Sequence, residues 1–299
     1  GYVRKLLSFV DLDALRPLKL VVNAGNGCAG PILDALAEHL PFEFVRLNHE
    51  PDGTFPNGVP NPLLEENRPA TAEAVRRHGA DLGIAWDGDF DRCFFFDEKG
   101  SFVDGYYVVG ALAGHLLKAA GGGTVIHDPR MTWNTVELVR EAGGTPVQGR
   151  TGHAFMKEKM REEDAVYGGE MSAHHYFREF AYCDSGMIPW LVLASMLCRS
   201  GRGLAGMVAE RRERYPASGE INTVVDDPAR VIEQVKKHYA EAASRIEHVD
   251  GVSLEFDARW RFNLRPSQTE PILRLNVEAA GDRKLMREKT EELLDLIRN

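Results

Sequence analysis

The segment at residues 18–40 reads LKLVVNAGNGCAGPILDALAEHL and contains the signals that decide the fold class. A β-rich run at residues 18–23 leads into a glycine-containing turn and then into a helical stretch at residues 31–40. Continuing the same pattern, we expect strands at residues 42–47, 81–86 and 93–96, and a helix at residues 63–78. This β-α-β-α-β order predicts a doubly wound sheet with ligands at the C-terminal ends of its strands.

The alternation begins again after residue 104 and changes character near residue 216. Helices are expected at residues 106–119, 132–142, 154–162 and 187–197, and strands at 124–127, 145–148 and 166–167. Asp227 and Pro228 are typical of a helix start, and we expect that helix to continue to residue 247. Three strands (252–256, 260–264 and 272–277) and a last helix (283–297) are expected to follow.

The predicted fold class is therefore α/β. Two consecutive α/β domains, doubly wound with mixed sheets, are followed by a small α+β C-terminal domain. The predicted domains are residues 1–104, 105–217 and 218–299.

The composition excludes several classes of function. The chain has 299 residues, 43% of them hydrophobic and 27% charged, with a formal net charge of −9 at pH 7. This acidic balance disfavours a nucleic-acid or anionic-membrane surface. No run approaches the roughly 20 apolar residues of a membrane helix, and the N-terminus lacks the pattern of a signal peptide. The four cysteines form no CxxC pair, so we expect reduced thiols and a cytoplasmic location.

The strongest chemical signal is the segment DGDFDR at residues 87–92, called the metal loop below. Its three carboxylates, Asp87, Asp89 and Asp91, alternate along the loop and can converge on one hard cation. Arg92 beside them indicates that an anion, most simply a phosphate, also arrives. Metal-assisted phosphate chemistry is the favoured interpretation.

Two other interpretations of this loop stay open. A calcium-binding EF-hand needs glycine where Arg92 stands and helices on both sides, whereas strand-like runs flank this loop. A merely solvated acidic turn would leave three carboxylates without compensation in an apolar setting.

The segment GGEMSAHH at residues 168–175, called the sugar loop, follows a predicted strand. Glu170, Ser172 and His174 stand at alternate positions, and the first two have the spacing to clamp neighbouring sugar hydroxyls. A polar loop with a structural histidine is the alternative. A zinc pair at His174 and His175 is disfavoured, because adjacent residues do not readily point to one place and no cysteine lies nearby.

The segment RPSQTEP at residues 265–271, called the phosphate loop, has the groups that a phosphate dianion needs. These are a guanidinium, two hydroxyls and an amide, carried by Arg265, Ser267, Thr269 and Gln268. A plain turn between strands with an exposed arginine is the alternative. Residues 150–153, RTGH, form a shorter candidate because helix N-termini favour anions.

Taken in this order, the three loops resemble those of the α-D-phosphohexomutase superfamily, most closely its bacterial phosphomannomutases. The resemblance covers essentially the whole chain and includes the stretch at residues 167–187. Met171 in the sugar loop is typical of members that handle mannose and glucose phosphates; glucosamine mutases more often carry Gln there, and glucomutases Glu.

The resemblance implies an enzyme that interconverts mannose 6-phosphate and mannose 1-phosphate through a phosphoserine and a hexose 1,6-bisphosphate. It implies Mg²⁺ as the cofactor and hexose phosphates, including glucose phosphates, as the molecules that the protein binds. It implies no binding to nucleic acid or to a membrane. The implied metal ligands are Asp87, Asp89 and Asp91; the implied substrate-binding residues are Glu170, Ser172, His174, Arg265, Ser267, Gln268 and Thr269.

The resemblance also implies three catalytic residues. Arg92 steadies the transferring group, and Arg130 and His153 are the general acid/base candidates. Arg130 stands where the related mutases often have lysine. Because an arginine stays protonated, electrostatic support is the role expected of it.

The family's nucleophile loop, a serine followed by His-Asn-Pro, does not occur in this sequence. Gly1 aligns near the start of the family's second domain, so we expect this chain to bind phosphosugar without turning it over. Phosphoglucomutase, phosphoglucosamine mutase, a non-catalytic sugar-phosphate-binding module and a calcium-binding domain stay open as alternatives.

Overall fold

A computed structural model describes residues 1–267 and 271–298. Within these ranges the strands form three five-stranded sheets, one in each of three successive units. The first two sheets are mixed and the third is antiparallel throughout. The predicted fold class, two α/β units followed by an α+β unit, is confirmed.

The first unit has the sheet order β2-β1-β3-β4-β5. Its elements are α1 (Tyr2–Leu7), β1 (Lys19–Asn23), α2 (Ala29–Ala37), β2 (Glu43–Leu47), α3 (Pro69–His78), β3 (Leu82–Trp86), β4 (Cys93–Phe96) and β5 (Phe102–Val103). Strand β1 lies between β2 and β3 and is parallel to both, so a crevice opens at the carboxyl ends of β1 and β3. The metal loop follows β3 at this edge.

The helix expected at residues 63–78 is shorter in the structure. A 3₁₀ turn at Glu65–Asn67 precedes α3, which has Pro69 at its first turn. Proline has no backbone N–H and a fixed φ, so it starts a helix readily but does not continue one. Gly79 ends α3 in the left-handed conformation, which glycine adopts without a steric penalty.

The second unit has the sheet order β10-β9-β8-β6-β7. Its elements are α4 (Gly105–Ala120), β6 (Thr124–His127), α5 (Trp133–Glu141), β7 (Thr145–Gln148), α6 (His153–Glu162), β8 (Tyr167–Gly169), β9 (His175–Phe177), β10 (Cys183–Asp184), α7 (Met187–Ser200) and α8 (Leu204–Arg214). The sugar loop connects β8 to β9.

The first two units share one hydrophobic core. A continuous cluster of buried side chains runs from Leu6 to Val208 and includes residues of both sheets. Helix α7 contacts both α4 and β4, and the indole of Trp86 donates to the carbonyl of Gly186 at 2.8 Å, just before α7. Each large apolar side chain buried here contributes roughly 1.5–3 kcal/mol.

The third unit has its own core and the sheet order β11-β15-β14-β13-β12. Its elements are β11 (Ile221–Val224), α9 (Pro228–Tyr239), β12 (Arg245–Glu247), β13 (Val252–Phe256), β14 (Trp260–Pro266), β15 (Ile272–Ala279) and α10 (Arg283–Arg298). Asp227 caps α9 by accepting from the amide of Arg230 at 3.0 Å, as predicted.

The predicted extension of this helix to residue 247 is wrong. Helix α9 ends at Tyr239, and Arg245–Glu247 is an edge strand paired with β13. Ala243 and Ile246 continue the apolar spacing of Val231, Val235 and Tyr239, so the sequence pattern does not mark the helix end, which the pairing with β13 determines. In the described part of the chain, no single helix is long and apolar enough to cross a membrane; α7 and α8 meet that test only as a pair bent by 96°.

Candidate functional site

The metal loop is fixed from two sides by backbone hydrogen bonds. The carbonyl of Gly88 accepts from Cys28 at 2.9 Å, and the carbonyl of Phe90 accepts from Gly186 at 3.1 Å. A Cβ on Gly27 would lie 2.4 Å from the Gly88 carbonyl oxygen, so this close approach requires glycine. The loop is therefore held between the turn after β1 and the start of α7.

The three carboxylates of the metal loop converge as predicted. One oxygen from each of Asp87, Asp89 and Asp91 lies within 4.8 Å of the others. Asp87 is buried, Asp91 is half-buried and Asp89 is exposed, so the cluster opens to solvent on one side. Three oxygen donors with an open side fit a hard divalent cation that keeps some of its water.

Arg92 is fastened to the first carboxylate of the loop. Its backbone N–H donates to Asp87 Oδ1 at 3.1 Å, and its Nε donates to Asp87 Oδ2 at 2.7 Å. Burial raises the pKa of Asp87 and the charge of Asp91 raises it further, although Arg92 opposes both effects. Arg92 offsets only part of the burial cost and of the repulsion between the Asp87 and Asp91 carboxylates. A bound cation would offset more of both.

The sugar loop is joined to the metal loop through the backbone. Arg92 and His174 form an antiparallel β-bridge, and the amide of Cys93 donates to the carbonyl of Ala173 at 3.2 Å. The two loops, far apart in sequence, are thus neighbours in the fold.

Glu170 is almost fully buried, with 1% of its surface exposed, and its carboxylate is engaged on both sides. Oε1 accepts from the amide of Gly152 at 2.9 Å, and Oε2 accepts from the hydroxyl of Tyr176 at 2.6 Å. Glu170 therefore fastens the segment before α6, and with it His153, the exposed first residue of that helix. These two bonds leave two of its lone-pair positions unoccupied, although the side chain is closed to solvent in this structure.

The two histidines of the sugar loop have different environments. His174 Nδ1 lies 3.3 Å from Asp184 Oδ2 and 3.6 Å from Asp91 Oδ2. Burial would lower the pKa of His174, but the bond to Asp184 and the nearby carboxylates outweigh this and raise it. His175 lies in the core, with Nδ1 2.6 Å from the Tyr167 hydroxyl. The two imidazoles therefore have different hydrogen-bonding partners.

Burial lowers the pKa of His175 to about 3, and this predicts an acid-sensitive fold. Between about pH 6.5 and pH 3 the unfolded chain binds a proton that the folded chain does not. Stability is therefore expected to fall with falling pH, by up to about 1.4 kcal/mol per unit from this residue. Urea unfolding from pH 7 to pH 4.5 should show a shallower loss in His175→Gln, and the same loss as the native chain in the exposed control His39→Gln. Equal slopes in all three proteins would contradict the assignment.

A cleft of about 370 Å³ lies where the three units meet. Residues from all three units line it, including Asn61, Arg68, Arg130, Ser172, Glu220 and Arg274. Arg130 is 3% exposed; one of its terminal nitrogens donates to Asp128 at 2.7 Å and to Ser172 at 3.3 Å. The structure thus places Arg130 beside the sugar loop.

Glu220 was not predicted as a site residue and lies among three arginines. Its carboxylate oxygens lie 3.3 Å from Arg130, 3.1 Å from Arg265 and 3.5 Å from Arg274. Burial would raise the pKa of Glu220, but the three guanidinium groups outweigh it and lower that pKa. A single glutamate before a strand has no local pattern that would have revealed this position.

The phosphate loop begins where β14 ends. Arg265 is buried, and its other terminal nitrogen lies 3.6 Å from Asp250. The amide of Ser267 donates to the carbonyl of Ile272 at 2.9 Å, which closes the base of the loop. Gln268 and Thr269, two predicted phosphate ligands, lie outside the described residues.

Comparisons with known proteins agree with this arrangement. Three family models of phosphoglucomutase/phosphomannomutase match: alpha/beta/alpha domain II at residues 1–100, alpha/beta/alpha domain III at residues 104–215 and the C-terminal domain at residues 220–295. The chain is 62% identical over 298 residues to a protein named phosphohexose mutases from Xanthomonas campestris, and 57% identical over 302 residues to a phosphomannomutase from Salmonella montevideo. These alignments cover 100% and 99% of this chain, and 66% of each relative.

A solved structure of a phosphoglucomutase/phosphomannomutase family protein from Burkholderia thailandensis superposes with a TM-score of 0.84 at 29% identity, covering 99% of this chain and 64% of that one. The fold and the matched models define a phosphohexomutase architecture. The chain belongs to the phosphoglucomutase/phosphomannomutase family, and the resemblance drawn from its three loops is confirmed. It spans about two thirds of the length of the curated relatives that it matches.

Proposed function

We propose that this chain provides the hexose-phosphate site of a mutase that interconverts mannose 6-phosphate and mannose 1-phosphate. One observation carries the proposal: a single cleft joins Ser172 of the sugar loop, Arg130, and the Glu220 cluster that leads to the phosphate loop. The relatives named phosphomannomutase support the choice of reaction.

Mg²⁺ would be held by Asp87, Asp89 and Asp91. Their oxygens converge, and a set made only of carboxylate oxygens suits a hard cation. When bound, the ion supplies positive charge to a phosphoryl group in transfer. Arg92, which Asp87 holds in place, would add a fixed guanidinium beside the same group.

The sugar loop would orient the hexose. Ser172 faces the cleft, and the carboxylate of Glu170 keeps free lone pairs although Gly152 and Tyr176 already bind it. A clamp on the hydroxyls at C3 and C4 does not contact C2, where mannose and glucose differ. The proposed site therefore accepts glucose phosphates too, and His174 would complete its polar wall beside Asp91.

Arg265, with Ser267, Gln268 and Thr269, would hold the phosphate that is not reacting. Burial would lower the pKa of Arg130, but the charges of Asp128 and Glu220 outweigh it and raise that pKa further above its usual value. Arg130 would therefore stabilise charge without exchanging a proton, which leaves His153 as the general acid/base candidate.

The proposed reaction takes its phosphoserine from the part of the relatives' length that this chain does not cover. A non-catalytic sugar-phosphate-binding module is the alternative that an assay of turnover would exclude. We propose a cytoplasmic location, which the four free cysteines support.

Calorimetric titration with mannose 1-phosphate, with and without Mg²⁺, tests the proposal together with a mutase assay. Both use the intact protein, meaning this chain together with the segment that supplies the proposed phosphoserine. We expect saturable binding, turnover, and an affinity about fivefold weaker in Ser172→Ala, since a ligand hydrogen bond contributes about 1 kcal/mol. Ser8→Ala, an exposed serine in another part of the chain, is the matched control. Binding without turnover would favour the non-catalytic module. Absence of binding in a folded protein would contradict both.

A further inference from the structure

Two charged residues of the third unit are buried against the second unit. Arg261 on β14 and Glu278 on β15 stand directly opposite each other in the sheet and form an ion pair at 2.8 Å. They are 2% and 0% exposed. Burying such a pair costs several kcal/mol unless further hydrogen bonds satisfy both charges. The second unit supplies those bonds.

Arg261 binds the backbone carbonyls of the segment before α5. One terminal nitrogen donates to the carbonyl of Arg130 and the other to the carbonyl of Pro129, both at 3.0 Å. A planar guanidinium suits two adjacent acceptors in this way, and a lysine has no second nitrogen to reach the other.

Glu278 binds the backbone amides of the same segment. Its carboxylate accepts from Thr132 at 2.6 Å and from Trp133 at 3.3 Å, and it also accepts from the hydroxyl of Tyr106. Thr132 occupies the N-cap position of α5, but its side chain makes no capping bond. Glu278 supplies the negative charge at this helix start from another unit of the chain.

The segment at residues 129–133 is therefore clamped by its carbonyls and by its amides, and Arg130 lies inside it. The third unit also contacts the side chain of Arg130, whose guanidinium donates to Glu220. Arg261 and Arg265 lie on one strand, four positions apart and on the same face. One rigid strand thus connects the clamp on Arg130 to the start of the phosphate loop.

We propose that Arg261 and Glu278 are positioning residues, which orient Arg130 toward the cleft only when the third unit is seated on the second. The inference rests on the proposed function for its kinetic consequence, and on the contacts alone for its structural one. It assigns a role to a buried pair that lies outside the metal, sugar and phosphate loops.

A double-mutant cycle in the intact protein tests the kinetic consequence. We expect Glu278→Gln to lower kcat by about 10–100-fold with KM changed less than about threefold, because misplacing a positioned group by 1 Å costs about 100-fold. In an Arg130→Met background the same change is expected to lower kcat by less than about twofold. Equal effects in both backgrounds would show a merely structural role and overturn the proposal.

Hydrogen exchange at the amides of Thr132 and Trp133 tests the clamp without reference to activity. Faster exchange of these amides in Glu278→Gln is expected even if the protein lacks mutase activity, and unchanged exchange would overturn the proposal. If Glu278→Gln does not fold, Arg261→Lys takes its place, with the exposed Arg259→Lys as control. We expect Arg261→Lys to lower kcat at least about tenfold and the control to leave it unchanged. Equal kcat in both lysine variants would overturn the proposal.

Discussion

We expect Asp89→Asn to lower the kcat of the intact protein by about 100-fold or more, and added Mg²⁺ to recover only part of the loss. Asparagine keeps one oxygen donor but removes a negative charge that a hard divalent cation needs. Asp89 is the sharpest position for this test, because it is exposed and makes no hydrogen bond within the described residues. Replacing Asp87 would instead break both of its bonds to Arg92.

Steady-state kinetics over a Mg²⁺ titration measures this effect, and urea unfolding confirms that the variant is folded. Asp13→Asn removes the same charge from an exposed position outside the three loops and is expected to match the native protein. If Asp89→Asn also matched the native protein at every Mg²⁺ concentration, the metal site would be wrongly placed.

The second large effect is expected at Arg130. Arg130→Met leaves Asp128 buried without its ion-pair partner, and such a loss costs about 3–5 kcal/mol of the free energy of unfolding. Turnover should fall by at least about 100-fold, because the guanidinium aimed at Ser172 and the cleft is gone. Arg130→Lys keeps the charge and is expected to retain turnover within about tenfold of the native protein.

Asp128→Asn separates the two consequences of the Arg130 change. Combined with Arg130→Met, it removes the unpaired buried charge, so urea unfolding should show that part of the stability returns. The kcat should stay low, because the positive charge is still missing. Recovery of kcat together with stability would show that Arg130 acts only by holding the fold.

The sequence predicted those features that local patterns specify. The alternation of strands and helices defined both α/β units, and the three loops were recognised because their chemistry lies in short contiguous segments. Helix α9 was predicted too long because Arg245–Glu247 is a short edge strand, defined by its partner β13 and not by its own residues. Strand β11 was missed for the same reason, since its inclusion depends on pairing with β15.

Contacts between units could not be predicted. Arg261 and Glu278 occupy alternate positions of strands whose neighbours are apolar, which is the pattern of a solvent-facing side chain. The structure places both in the interior, because another unit covers that face of the sheet. Glu220 could not be predicted as a site residue either, because the arginines around it come from three separate segments of the chain.

The shared core of the first two units determines where the gene can be recombined with those of its relatives. A crossover near residue 104 would separate α7 from α1 and β4, which it contacts, so two inherited halves would have to match across Trp86, Tyr106 and Trp190. A crossover between residues 216 and 220 passes between two independent cores, and few positions, chiefly Arg261 and Glu278, would have to agree with the other parent. Evolution can therefore exchange the third unit with that of a relative more readily than it can exchange the first.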